Sequence, residues 1–245
     1  MNKANQLTYE RKNAEREKQL AVERAKHEAT EQLLYNVLPP VVAQKIIAGD
    51  TVIAERLEYV SVLFADIVNF TVLSQTIQPE VLVKGLDSLF TEFDTLAEQY
   101  GLEKIKTIGD AYMCAAGAPG KRDDDAYVIS KMANAMLHTV SLTNAFGNEV
   151  TVQLRIGIHV GDVVAGVIGK KKFAYDLWGD AVNTASRMES YGESNKIHVT
   201  EEFAQRLQHQ MNEVNSTEFT IKHRGNFDVK GKGTMKTYFV EGLWR

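Results

Sequence analysis

The chain has 245 residues, 44% apolar and 24% charged, with 28 Lys and Arg against 32 Asp and Glu, a formal net charge of −4. That size holds one large soluble domain, or one domain and an appendage, and the acidic balance lacks the basic surplus of a nucleic-acid binder, so no nucleic acid is expected as partner. The lone cysteine, Cys114, excludes an internal disulfide and fits a reducing, cytoplasmic setting.

Residues 1 to about 33 intersperse Glu, Lys and Arg without Gly or Pro, which favours a helix strongly. A heptad frame through Leu7, Ala14 and Ala21, with Ala25 four further on, is only partly apolar. It suggests marginal pairing with a second copy, beside the alternative of a solvated helix. Pro39 and Pro40 end the segment, and Val41 to Ala48 is a short amphipathic piece. No apolar run reaches the roughly 18 to 20 residues of a membrane span, and the N-terminus has no signal-peptide core.

From about Leu57 the pattern changes. Tyr59 to Ala65 reads as a buried strand, and Pro79 opens a long amphipathic helix to about Tyr100, closed by Gly101. Strands at Leu102 to Ile108 and Ala111 to Ala116 flank Gly109-Asp110, a pair suited to a tight hairpin. A second long helix is predicted from Asp124 to Phe146. Strands at Val152 to Val160 and Val163 to Ile168 follow, joined by Gly161-Asp162, and a helix begins after Gly179. The order is that of an α+β, ferredoxin-like β-α-β-β-α-β sandwich with a C-terminal extension.

Two carboxylates stand where packing does not want them. Asp66 ends the first strand and Asp110 caps the hairpin, and in this topology the two elements are neighbours. Carboxylates brought together repel unless a cation lies between them, and hard cations go with phosphate chemistry. Ile67 to Thr71 lead straight into a helix, whose first amides, at Phe70 and Thr71, suit phosphate oxygens. Asn183 and Arg187, four apart, share a helix face that suits a transferring phosphoryl group, although a solvated polar face explains them equally. Asp228 to Thr234 only superficially resembles a P-loop, but Lys230 before its glycines can act as a point charge toward phosphate.

As a set these motifs resemble the catalytic domain of class III nucleotidyl cyclases, the adenylyl/guanylyl cyclase family, from about Leu57 to Val240. The resemblance rests on Phe64-Ala65-Asp66-Ile67, Lys106 to Met113, Arg155-Ile156-Gly157-Ile158-His159, Tyr175 to Met188, and Val229 to Gly233. It implies a 1–38 signalling or dimerisation helix, a 39–56 linker and a 57–245 catalytic domain. The implied reaction turns ATP into 3′,5′-cyclic AMP and pyrophosphate with two Mg²⁺ or Mn²⁺ ions per site. Asp66, Asp110 and the Ile67 carbonyl would hold metal, Lys106 and Asp176 would read the base, and Arg155 and Lys230 would hold polyphosphate. Asn183 and Arg187 would orient the ribose and stabilise the transition state. Lys106 as donor and Asp176 as acceptor match adenine, where GTP-using members place Glu and Cys. The resemblance also implies a head-to-tail homodimer with shared sites, Asp66, Asp110 and Arg155 from one subunit and the remaining groups from the other. The helical start suggests a fragment of a larger protein with an upstream sensor or membrane domain. Asn69 departs from the family's usual Gly, yet Asn tolerates a left-handed backbone. A silent relative would have lost a metal Asp or Arg187; neither is missing here.

Overall fold

The computed structural model describes residues 3–50, 52–143, 145–147, 150–169 and 172–243, with side chains from Lys12 onward and that of Tyr9. The chain forms two units, one of residues up to Ile53 with Ile168–Ala174, the other of Ala54–Val167 and Tyr175 onward.

In the first unit, helix α1 (Lys3–Tyr35) matches the Gly-free, charge-mixed stretch, and α2 (Pro40–Ile47) starts with Pro40 in its first turn. Ala14, Ala21 and Ala25 are exposed; the side chain of Leu7 lies outside the described residues. Among the described residues no helix is long and apolar enough to cross a membrane.

The second unit runs β1 (Ala54–Ile67), α3 (Phe70–Thr76), α4 (Pro79–Tyr100), β2 (Glu103–Ile108), β3 (Ala111–Ala116), α5 (Asp125–Leu142) and β4 (Leu154–Ile168). It continues through β5 (Ala174–Trp178), α6 (Asp180–Ser190), β6 (Lys196–Thr200), α7 (Glu201–Glu213), β7 (Phe219–Val229) and β8 (Gly233–Gly242). The sheet order is β2-β3-β1-β4-β6-β8-β7, with β5 on β4. Its first four strands give the ferredoxin-like arrangement, each neighbour antiparallel. Pro79 and Gly101 bound α4 as predicted, Gly101 closing it at a left-handed φ of 63°.

Two expectations fail. Strand β4 is one element passing straight through Gly161-Asp162, with no hairpin there. Its long pairing with β1 explains this: Gly161 lies opposite Val60 and Val163 opposite Leu57, and β1 absorbs the offset in a bulge between Leu57 and Val60. The Asp162 carboxylate accepts from Arg56 Nη2 at 2.8 Å instead of closing a turn. Helix α5 stops at Leu142, short of Phe146, because Thr143 is already extended.

Alternation along β1 sorts the two faces. Leu63, Ala65 and Ile67 join the core with Leu89 and Phe93 of α4, Ile129 and Met132 of α5, and Phe203 and Leu207 of α7. Each of these side chains larger than Ala65 contributes about 1.5–3 kcal/mol when fully buried. Phe64 and Asp66 therefore lie on the opposite face, which carries α6.

Candidate active site

Cross-strand pairing builds the first cluster. Asp66 is opposite Ala111 on one side and Arg155 on the other. Arg155 Nη2 donates to Asp66 Oδ2 at 2.6 Å, while its Nε donates to Oε1 of Glu189 on α6 at 3.1 Å. Burial opposes the charge of Arg155, but the two carboxylates outweigh it and raise its pKa. Asp110, at the β2–β3 turn, has its carboxyl pushed up to about 6 by burial and then by the hydrogen bond and charge of Asp66. The two predicted aspartates thus meet.

The closeness of α6 to this cluster depends on one residue. Gly157 is two positions from Arg155 and on the same face, and a Cβ there would come within 1.9 Å of the Glu189 amide nitrogen. Only glycine lets the helix backbone lie on the strand.

A second cluster depends on a bulge. Lys104 is opposite Cys114 but Lys106 is opposite Met113, so Ile105 is an extra residue in β2. In a regular strand Lys104 and Lys106, two apart, would share a face. With the extra residue Lys104 bonds Asp94 of α4 at 2.6 Å, while Lys106 reaches Asp176 of β5 at 2.5 Å. The second oxygen of Asp176 accepts from the Leu177 amide at 2.8 Å. The predicted pair is therefore in contact.

The third cluster is on α6 and the β7–β8 turn. Lys232 pairs with Asp180 at the start of α6, and a Cβ at Gly231 would lie 3.7 Å from an Arg187 guanidinium nitrogen. Asn183 and Lys230 are exposed and Arg187 half-buried. Among the described residues none of these three side chains has a hydrogen-bond or ion-pair partner. Phe70 and Thr71 open α3, which no side chain caps; the Phe70 ring packs on the core, so what it offers is backbone. Asn69 before it takes the left-handed conformation foreseen, φ 59°.

No hydrogen bond or ion pair among the described residues joins the Asp66 cluster to Lys106, Asp176, Asn183, Arg187 or Lys230. No group of three or more His, Cys, Asp or Glu side chains suited to a metal occurs there either; Asp66 and Asp110 are a pair. The sequence reading overlooked Glu189 and Lys232. Glu189 had left a signal: it follows Met188 and lies four residues after Ala185, a carboxylate on the buried stripe of α6.

Residues 52–242 match the family model described as the adenylate and guanylate cyclase catalytic domain. The chain belongs to this family. The cyclase domain is 42% identical over 224 residues to an adenylate cyclase of Mycobacterium tuberculosis, covering 91% of this chain and 48% of that protein. It is 41% identical over 219 residues to a receptor-type guanylate cyclase of Caenorhabditis elegans, covering 89% of this chain and 17% of the receptor. The chain thus spans about half, or less, of the length of these curated relatives. The crystal structure of the guanylate cyclase domain of RhGC from Catenaria anguillulae in complex with GTP aligns with a TM-score of 0.71 and 34% identity. That alignment covers 78% of this chain and 100% of the other. Overall identity to the adenylate and the guanylate cyclase is nearly equal and so does not decide the substrate.

Proposed function

We propose that the chain is an adenylyl cyclase, converting ATP to 3′,5′-cyclic AMP and pyrophosphate at sites shared between two copies. The observation that carries the substrate is the Lys106–Asp176 contact, 2.5 Å between a donor and an acceptor. Lys106 donates toward adenine N1 and Asp176 accepts from the exocyclic amine. Guanine offers the reverse pattern, and each buried mismatch costs about 1–3 kcal/mol.

Asp66, Asp110 and the Ile67 carbonyl are hard oxygen donors, and the raised pKa of Asp110 beside Asp66 marks a spot that favours a cation. This donor set fits Mg²⁺ or Mn²⁺, two per site, which when bound neutralise phosphate charge and acidify the ribose hydroxyl. The ribose 3′-oxygen forms a bond to the α-phosphorus, the bond to the pyrophosphate oxygen breaks in line, and the hydroxyl proton passes to water or a phosphate oxygen. Asn183 orients the ribose, Arg187 stabilises charge on the phosphoryl group as it transfers, and Arg155 and Lys230 hold the leaving phosphates. The amides of Phe70 and Thr71 add donors toward phosphate.

The shared site is supported by α6. Arg187 and Glu189 are two residues apart, about 200° around the helix, so they lie on opposite faces. Glu189 belongs to the Asp66 cluster, hence Asn183 and Arg187 face away from the aspartates of their own chain. A head-to-tail homodimer brings one chain's Asp66 cluster against its partner's Arg187 face. In this reading α1 pairs the copies and transmits a signal from an upstream sensor or membrane domain. The test is purified chain with Mn²⁺ and either ATP or GTP, scored for cyclic product. Cyclic AMP in large excess over cyclic GTP is expected; no cyclic product, or cyclic GTP alone, overturns the reading.

A further inference from the structure

We propose that Glu189 is a positioning residue that holds Arg155 so a divalent cation can take Asp66, a role that rests on the function proposed above. Arg155 is forked between two carboxylates, Nη2 on Asp66 at 2.6 Å and Nε on Glu189 at 3.1 Å. Glu189 is only 7% exposed, and its other oxygen accepts from Ser190 Oγ at 3.1 Å. Its backbone is fixed against Gly157, so the carboxylate cannot follow Arg155 elsewhere.

The consequence is a competition. Arg155 and a metal ion would compete for the Asp66 carboxylate. If Asp66 were the guanidinium's only counter-charge, giving it up would leave a half-buried cation unpaired, which is strongly unfavourable. Glu189 remains as counter-charge when the cation arrives, so Arg155 is released from Asp66 without being stranded. It also keeps the fork aimed across the corner where the phosphates of a nucleotide would lie. Neutralising Glu189 tightens the Arg155–Asp66 pair and raises the cation concentration needed to break it.

The experiment measures Mn²⁺ binding to the full chain without nucleotide, from the loss of the free-ion EPR signal, beside cyclase activity. Glu189→Gln is expected to weaken Mn²⁺ binding about 3- to 10-fold, a fraction of the effect of altering a group bonded to a metal ligand. Its half-activating Mn²⁺ should rise in parallel, and saturating Mn²⁺ should return most of kcat. Glu189→Asp, which keeps the charge, should stay within about twofold of the parent protein. Glu193→Gln removes an equal charge from a carboxylate that pairs with Lys196 rather than Arg155, and should leave binding unchanged. Should Glu189→Gln not fold, Ser190→Ala replaces it, with about twofold weaker binding expected from loosening the same carboxylate. Equal Mn²⁺ affinity in Glu189→Gln and Glu193→Gln, or in Ser190→Ala and the parent, overturns the inference, whatever happens to Tm. A parent chain that neither binds Mn²⁺ nor makes cyclic AMP would instead overturn the proposed function.

Discussion

The two faces of α6 are built in opposite ways. On the inner face every charge has a partner: Arg155 bridges Asp66 and Glu189, Asp110 meets Asp66, and Gly157 brings the helix onto the strand. On the outer face Asp180 pairs with Lys232 of the β7–β8 turn, but Asn183 and Arg187, with Lys230 of that turn beside them, stand without partners among the described residues. The inner face is preorganised by a folded chain alone. The outer face holds donors with no protein acceptor among the described residues, which under the proposed shared site are met by a second copy. A half-site completed by the fold beside one left open is what a shared active site requires.

The largest effect belongs to the inner corner. Asp110→Asn should reduce kcat by about 1000-fold or more. Its unfolding temperature should hold or rise, because the substitution removes a carboxyl that burial, and then Asp66, push up to about 6. A large loss of stability with activity kept would reverse the assignment. Next comes the base pair: Lys106→Glu with Asp176→Cys should lower kcat/KM for ATP by about 100-fold and make GTP the better substrate. Unchanged ATP selectivity would remove these residues from base reading.

Stability gives smaller effects. Gly157→Ala should cost about 3 kcal/mol or more, since backbone cannot yield as a side chain does. Denaturant unfolding measures it, and a neutral result would mean α6 is not docked on β4 as described. A stability effect of similar size per residue appears only in acid. His159 and His198 are buried, and burial lowers their pKa from 6.5 to about 4. His198 Nδ1 lies 2.7 Å from the Met188 carbonyl oxygen and its other side faces Arg224, so a second proton is unwelcome. A lowered histidine pKa means stability is full above 6.5 and is lost as pH falls toward 4, up to about 3 kcal/mol apiece. Stability that is flat across this window would contradict their burial.

Much of this was legible beforehand, because the informative residues act locally. Pro79 and Gly101 bound α4 through their own backbone preferences, and the aspartates stood out by interrupting apolar runs. The errors came where a distant strand overrules a local signal. Gly161-Asp162 has hairpin chemistry, yet pairing with β1 carries the strand through it. The Ile105 bulge that turns Lys106 away from Lys104 has no mark in sequence, since β2 takes its register from β3. Glu189 was visible as a carboxylate on a buried stripe, but its partner, 34 positions earlier on β4, was not.

Mixing two inactive proteins probes whether the site is shared between copies. Asp66→Ala removes the inner half-site and Arg187→Ala the outer one, and each alone should be nearly inactive. Combined, their heterodimers contain one intact site, so cyclic AMP production should recover to about a quarter of the parent rate, half of the dimers being mixed with one site each. Heterodimers that form and stay silent would rule out a site shared between copies.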